Sequence, residues 1–149
     1  MMRRAILLAA RLFTFTNASH TSARLSSRSG TPAPGRGWSF LASAELYDPT
    51  GAFASAKAMT VARESHAAVR LRDGRVLVVG GHRGRRADIT LYASAETYDP
   101  TTDTFSRVGD MRIRRHKHDA VLLGDGRVLV TGGYGNRQGP QASAWVYRP

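Results

Sequence analysis

At 149 residues with 42% hydrophobic content, the chain is long enough to bury a core and does not have the composition of a disordered protein. It contains no cysteine, which excludes disulfide bonds, thiolate catalysis and zinc sites with cysteine ligands. Its 22 Lys and Arg residues outnumber 11 Asp and Glu residues; the net charge of +11 fits an anionic partner, although an arginine-rich coding bias would produce the same charge.

Residues 1–40 differ from the rest of the chain because they contain no Asp or Glu. A basic start and a short apolar stretch, interrupted by Arg11, fit a signal peptide, a transit peptide or the edge of a truncated gene. Residues 26–37 are rich in Ser, Gly and Pro, as in a flexible spacer. We therefore expect 1–40 to be a largely unstructured leader and linker, and the signal-like start favours an extracytoplasmic location without fixing the compartment.

From residue 41 onward the sequence repeats itself. The segment 43–53, SAELYDPTGAF, recurs as SAETYDPTTDTF at 94–105, and 143–149 begins a third copy. Likewise DGRVLVVGG at 73–81 recurs as DGRVLVTGG at 125–133. A period near fifty residues is typical of propeller blades and longer than that of helical repeats.

Each repeat unit predicts four short strands. The first, at 66–71, alternates apolar and polar residues, and Asp73-Gly74 then predicts a tight turn in which both central residues have positive φ. The apolar run 76–79 is a strand covered on both faces, ended by two glycines. The third and fourth strands are predicted at 93–98 and 105–108.

This order of features resembles the kelch repeat: an apolar run ending in Gly-Gly, then a spaced tyrosine, then an aromatic residue. The matching positions are 76–81, Tyr98 and Phe105 in one unit, and 128–133 with Tyr147 in the next. Kelch proteins usually have Trp where this chain has Phe53 and Phe105. The resemblance implies an all-β fold of kelch-type β-propeller blades, each with four antiparallel strands.

We predict about two blades in total: a partial blade at 41–57, a full blade at 63–108 and an incomplete blade at 115–149. Propellers generally need four to eight blades to close. Three interpretations remain open: a fragment of a longer propeller protein, a homo-oligomer that completes a ring, or a stack that stands alone. The repeat interrupted at the C-terminus favours the fragment.

Because neighbouring strands run in opposite directions, the charged residues of the loops and turns are divided between the two ends of the predicted blades. The segments between blades and the connections between second and third strands meet at one end, with a net charge of +7, whereas the other end has −2. The resemblance implies that the first end binds ligands and that Arg63 and Arg115 can point into it. We predict a site for a protein or acidic peptide partner; solvated arginines are the alternative. The candidate residues are Arg63, Arg83, Arg85, Arg86, Arg112, Arg114 and Arg115.

The residues favour a non-catalytic binding module without a cofactor. The copper radical oxidases that resemble galactose oxidase need a cysteine, which this chain lacks. His116 and His118 would project to one side of an extended segment, but no third ligand is apparent, so no metal site is predicted. Nucleic acid is disfavoured but not excluded, and no apolar run is long enough to span a membrane. The alternative function is a remnant of a larger galactose-oxidase-like kelch protein, inactive by itself.

Overall fold

The computed structural model describes residues 5–7, 40–47, 53–135 and 139–149. The rest of the predicted leader, the 26–37 spacer and Arg137 lie outside these residues. Within them, all named elements are strands except one 3₁₀ helix at Arg86–Asp88. The strands are β1 (Ala5–Leu7), β2 (Ala44–Tyr47), β3 (Phe53–Ala56), β4 (Ala67–Arg70), β5 (Val76–Val79), β6 (His82–Arg83), β7 (Thr90–Leu91), β8 (Ala95–Asp99), β9 (Thr104–Val108), β10 (Asp119–Leu122), β11 (Val128–Thr131) and β12 (Ala144–Tyr147).

Three antiparallel sheets follow one another along the chain. The middle sheet has the order β4-β5-β8-β9 and is a complete four-stranded blade. The sheet after it, β10-β11-β12, has the first three strands of the same pattern, and the sheet before it has the order β1-β2-β3. The prediction of all-β blades in an incomplete series is confirmed. A separate hairpin, β6-β7, lies within the connection between β5 and β8.

The turn between β4 and β5 differs in detail from the prediction. Gly74 has φ +94°, but Asp73 is not among the described residues with positive φ. The amide of Leu71 instead donates to the Arg75 carbonyl (2.8 Å), which leaves three residues in the loop. Asp73 accepts hydrogen bonds from both the amide (3.0 Å) and the side chain (2.8 Å) of Arg75. Only the glycine therefore needs the left-handed conformation, as in three-residue hairpin loops.

Strand β1 lies inside the predicted leader and takes the place of a second blade strand. Tyr47 of β2 and Tyr98 of β8 are repeat counterparts. Tyr47 pairs with Ala5 of β1, and Tyr98 pairs with Val76 of β5, so β1 pairs with β2 in the same register as β5 with β8. The sequence agrees, since RAILLAA at 4–10 parallels RVLVVGG at 75–81. In the first sheet the pairs are Ala5↔Tyr47, Ile6↔Leu46 and Leu7↔Glu45. The equivalent pairs in the complete blade are Val76↔Tyr98, Leu77↔Thr97 and Val78↔Glu96.

Burial on both faces of β5 holds the three sheets together. Val76 and Val78 pack with Ala44 of the preceding sheet, whereas Leu77 and Val79 pack toward the following sheet. The side chains of β5 are 0% or 1% exposed. We call the face of a sheet that meets the preceding sheet its front face and the opposite face its back face. Each internal interface therefore joins a back face to the next front face.

Candidate binding site at the loop end

The blade order brings two kinds of loop to one end of the molecule. One is the connection between second and third strands, at 80–94 and 132–143. The other is the end of each segment between blades, at 61–66 and 113–118. We call these residues, where described, the loop end. Backbone bonds cross between blades here, because Gly81 N donates to Arg115 O (2.9 Å) and Lys117 N to Ser65 O (2.9 Å).

The beginning of the segment between blades does not reach the loop end. The amide of Lys57 donates to Asp103 Oδ1 (2.9 Å), in the turn at the opposite end of the complete blade. The amide of Thr60 donates to Glu96 Oε2 (2.8 Å), partway along β8. The backbone of Lys57 therefore lies away from the loop end, although the connection between blades was assigned to that end as a whole.

Arg63 lies inside the blade and not on its surface, with 1% of the residue exposed. Its Nη1 donates to the carbonyl oxygens of Gly80 (2.7 Å) and Ser94 (3.1 Å). Its Nη2 donates to Ser94 Oγ (3.2 Å) and to Glu96 Oε1 (2.9 Å). The guanidinium thus ties the segment between blades to β5 and β8. This corrects the expectation that Arg63 points toward a ligand, because its donors face main-chain and carboxylate acceptors of its own blade.

Arg115 is the repeat counterpart of Arg63 and is equally buried, at 1% exposed. Its Nη1 donates to the carbonyl oxygens of Gly132 (3.0 Å) and Ser143 (2.8 Å), and its Nη2 donates to Ser143 Oγ (2.8 Å). The predicted outward orientation is corrected here for the same reason. One contact is missing, since Trp145 stands where the preceding repeat has Glu96.

The two arginines have different electrostatic surroundings, because only Arg63 has a carboxylate next to it. Burial lowers the pKa of Arg63, while the neighbouring Glu96 acts to raise it. Burial also lowers the pKa of Arg115, and no acidic group opposes that effect. In the described part of the chain, Arg115 is therefore a buried guanidinium held by neutral acceptors alone.

Two buried histidines follow the arginines, each at the start of a first blade strand. Burial, with Arg63 as the next contributor, lowers the pKa of His66 to about 3. Burial, with Arg115 as the next contributor, lowers the pKa of His118 to about 4. Both imidazoles are therefore neutral at physiological pH and occupy equivalent structural positions.

A row of four side chains crosses both blades at the loop end, from partly buried Glu64 through buried His82 and partly buried His116 to exposed Tyr134. Glu64 Oε1 lies 3.2 Å from His82 Nε2, and the His82 ring meets the His116 ring edge to face at 4.8 Å between centroids. The His116 ring lies 6.0 Å from the ring of Tyr134, which is 46% exposed. The sequence prediction omitted this row. The signal was available, because Glu64 and His116, and His82 and Tyr134, are repeat counterparts 52 positions apart.

The remaining predicted arginines are neighbours of this row in sequence, since Arg83, Arg85 and Arg86 follow His82, and Arg112 and Arg114 precede His116. Arg83, Arg112 and Arg114 are exposed, and within the described residues no ion pair joins them to a carboxylate. Arg85 is also exposed, but its Nη2 lies 3.0 Å from Glu64 Oε2. Arg86 begins the 3₁₀ helix. Of the predicted arginines, Arg63 and Arg115 thus turn inward, whereas Arg83, Arg85, Arg112 and Arg114 are exposed.

The paired histidines of 116–118 do not converge on a metal. Lys117 has φ +54°, so the segment is not extended, and His118 is buried while His116 faces His82. Among the residues that the structure describes, no group of three or more His, Cys, Asp or Glu side chains has the arrangement of a metal site. None of the described helices is long and apolar enough to cross a membrane.

Comparison with known proteins matches this architecture. The sequence profile of the Kelch motif matches residues 65–112, which contain the complete blade. Residues 65–112 therefore carry a Kelch motif. The solved structure titled "Structure of YjhT" superposes with a TM-score of 0.56 at 17% identity, over 64% of this chain and 29% of that one. The kelch resemblance and the incomplete propeller are thereby confirmed. The chain spans less than a third of the YjhT chain, and no curated protein sequence matches it.

Proposed function

We propose that this kelch chain is a non-catalytic module that binds an acidic segment of a protein partner at its loop end. The carrying observation is that Arg83 and Arg114 at the loop end, and Arg112 just before it in sequence, are exposed and have no carboxylate ion-pair partner among the described residues. Kelch repeats commonly serve protein binding. Exposed guanidinium groups bind carboxylates through paired hydrogen bonds and therefore favour an acidic peptide.

The exposed Tyr134 end of this row supports a peptide over a simple anion. Tyr134 is 46% exposed and offers ring surface at the same loop end as Arg83 and Arg114, and Glu64 occupies only one end of the row. An extended peptide can place carboxylates on the arginines and apolar side chains on the rings. Arg63 and Arg115 contribute by fixing the loops and make no direct contact with the partner.

Fluorescence polarisation of a labelled glutamate-rich peptide tests this proposal. We expect the triple variant Arg83→Ala, Arg112→Ala, Arg114→Ala to bind at least about tenfold more weakly, since each charged contact contributes on the order of 1 kcal/mol. The matched control replaces three exposed arginines away from the loop end: Arg70, Arg72 and Arg148. It removes the same charge and should change affinity by less than about twofold.

Two results would overturn the proposal. Equal losses in the two triple variants would show that net charge alone attracts the peptide. Stronger binding to single-stranded DNA than to the peptide, with a steep fall in affinity as salt rises, would assign the surface to nucleic acid.

A further inference from the structure

Two histidine rings meet where the complete blade and the third sheet join at the loop end. His82 follows β5, and His116 lies in the segment that leads into β10. Their rings pack edge to face with 4.8 Å between centroids. Each ring is held by its own blade, since isolated backbone bridges pair Glu64 with His82 and His116 with Tyr134. The contact between the two rings is therefore part of the join between the blades.

Two backbone hydrogen bonds cross the same join beside this ring contact. Gly81 N donates to Arg115 O, and Lys117 N donates to Ser65 O, each at 2.9 Å. Gly81 is the sequence neighbour of one histidine, and Lys117 is the sequence neighbour of the other. We call the ring pair and these two hydrogen bonds the blade joint. Separation of the rings therefore also loosens the two hydrogen bonds.

The charged groups around the rings offer little compensation for added positive charge. Among the described residues, Glu64 is the carboxylate that faces the pair, with Oε1 3.2 Å from His82 Nε2. Its Oε2 already lies 3.0 Å from Arg85 Nη2. Lys117 is a further cation that acts on both rings. The other titratable neighbours of His116 are His118 and Tyr134.

A protonated His116 is poorly accommodated in the closed joint. A protonated imidazole has an N–H on both nitrogens, whereas His116 Nδ1 is buried and has no hydrogen-bond partner among the described residues. Burial lowers the pKa of both rings; Arg85 is the next contributor for His82, and His82 is the next contributor for His116. The closed joint thus favours two neutral rings, and protonation weakens it.

We propose that the blade joint is an acid-sensitive conformational switch, closed while His82 and His116 are neutral and opened when mild acid protonates them. In the opened joint the rings reach water and bind protons near pH 6.5, as ordinary histidines do. The closed joint binds them only at lower pH. Below pH 6.5 the equilibrium constant for opening therefore rises by up to about tenfold per histidine for each pH unit. The switch lies in the join itself and does not depend on a peptide partner.

Amide hydrogen exchange of the full chain, followed by NMR between pH 7 and pH 5.5, tests the switch. The amides of Glu64 and Tyr134 are the references, because their hydrogen bonds to His82 O and His116 O stay within one blade. Relative to these, the protection of the Gly81 and Lys117 amides should fall at least about fivefold. Equal changes at all four amides would show that the joint does not open by itself and would overturn the proposal.

His116→Phe is the direct test variant, because it keeps an aromatic ring against His82 and cannot be protonated. The relative loss of protection should shrink to less than about twofold, since a lone protonated His82 retains Glu64 as its counter-charge. The matched control is His66→Gln: the charged and titratable neighbours of His66 are Arg63 and His118, and the relative loss should persist.

Circular dichroism identifies a variant that fails to fold, and His116→Gln then replaces His116→Phe with the same expected result. A full wild-type loss of protection in a folded His116 variant would overturn the proposal. So would disappearance of that loss in His66→Gln, because the acid response would then come from the buried histidine and not from the blade joint.

Discussion

Arg63 and Glu96 form an ion pair whose side chains are at most 1% exposed, and removal of one partner should therefore be costly. We expect Glu96→Ala to lower the free energy of unfolding by about 3–5 kcal/mol, because it leaves the Arg63 guanidinium buried without its counter-charge. Asp110→Ala is the matched control, since it breaks the exposed pair with Arg107 and should cost less than about 1 kcal/mol. Urea denaturation measures both. Equal effects would mean that Arg63 does not depend on Glu96.

Protonation of the buried histidines should destabilise the chain in mild acid. His66 and His118 have folded pKa values of about 3 and about 4, below the ordinary 6.5, so the unfolded chain binds more protons below pH 6.5. Stability should therefore fall as pH drops from 6.5 toward 4, by about 2 kcal/mol per histidine at pH 5. Burial also lowers the pKa of His82 and His116, which acts in the same direction.

Urea midpoints at several pH values test this dependence. Asp73, Asp99, Asp103 and Asp125 have pKa values below the ordinary 3.8, so their stabilising effect is lost only at lower pH. The interval from 6.5 to 5 therefore isolates the histidines. His66→Gln should roughly halve the contribution of the two most buried histidines. An unchanged midpoint between pH 7 and pH 5 would contradict the buried neutral state.

At the scale of elements, the repeat allows a comparison of two glycines in the same position. A Cβ at Gly80 would lie 2.8 Å from Arg115 O and 2.6 Å from His118 Cε1, whereas a Cβ at Gly132 would meet nothing within 4 Å. The φ values, +63° and +67°, are nearly the same. Gly132→Ala should cost about 1–2 kcal/mol from its conformation alone, and Gly80→Ala should cost about 1–3 kcal/mol more because of crowding.

The measurement is thermal or urea unfolding of the two variants. Similar costs at the two glycines would show that the following blade does not pack over Gly80 in solution.

The strands of the complete blade could be predicted from sequence because each has its own local signal. Each signal is carried by a few neighbouring residues: the VLVV run of β5, the Asp-Gly turn before it and the Gly-Gly pair after it. Strand β1 could not be recognised in that way. Its residues, Ala5–Leu7, are as apolar as a signal segment, and they identify a blade strand only when the register with Tyr47 is known.

For the whole molecule, the end that carries the basic loops was predictable and the role of each arginine was not. Alternation of strand direction places loops at one end without knowledge of side chains. Arg63 and Arg115 turn inward because main-chain carbonyl oxygens and Ser94 or Ser143 accept their hydrogen bonds. Those acceptors could not be recognised from sequence, since they lie at the ends of later strands and approach the arginines only in the folded chain.

Backbone hydrogen bonds between the two blades restrain the loops that would contact a partner. Lys117 N to Ser65 O and Gly81 N to Arg115 O fasten neighbouring loops to one another before any partner arrives. Loops held in this way lose little conformational freedom on binding, so little of the interaction energy is spent on ordering them. The loop end is thus a preorganised template, and the choice among partners depends on which side chains it displays.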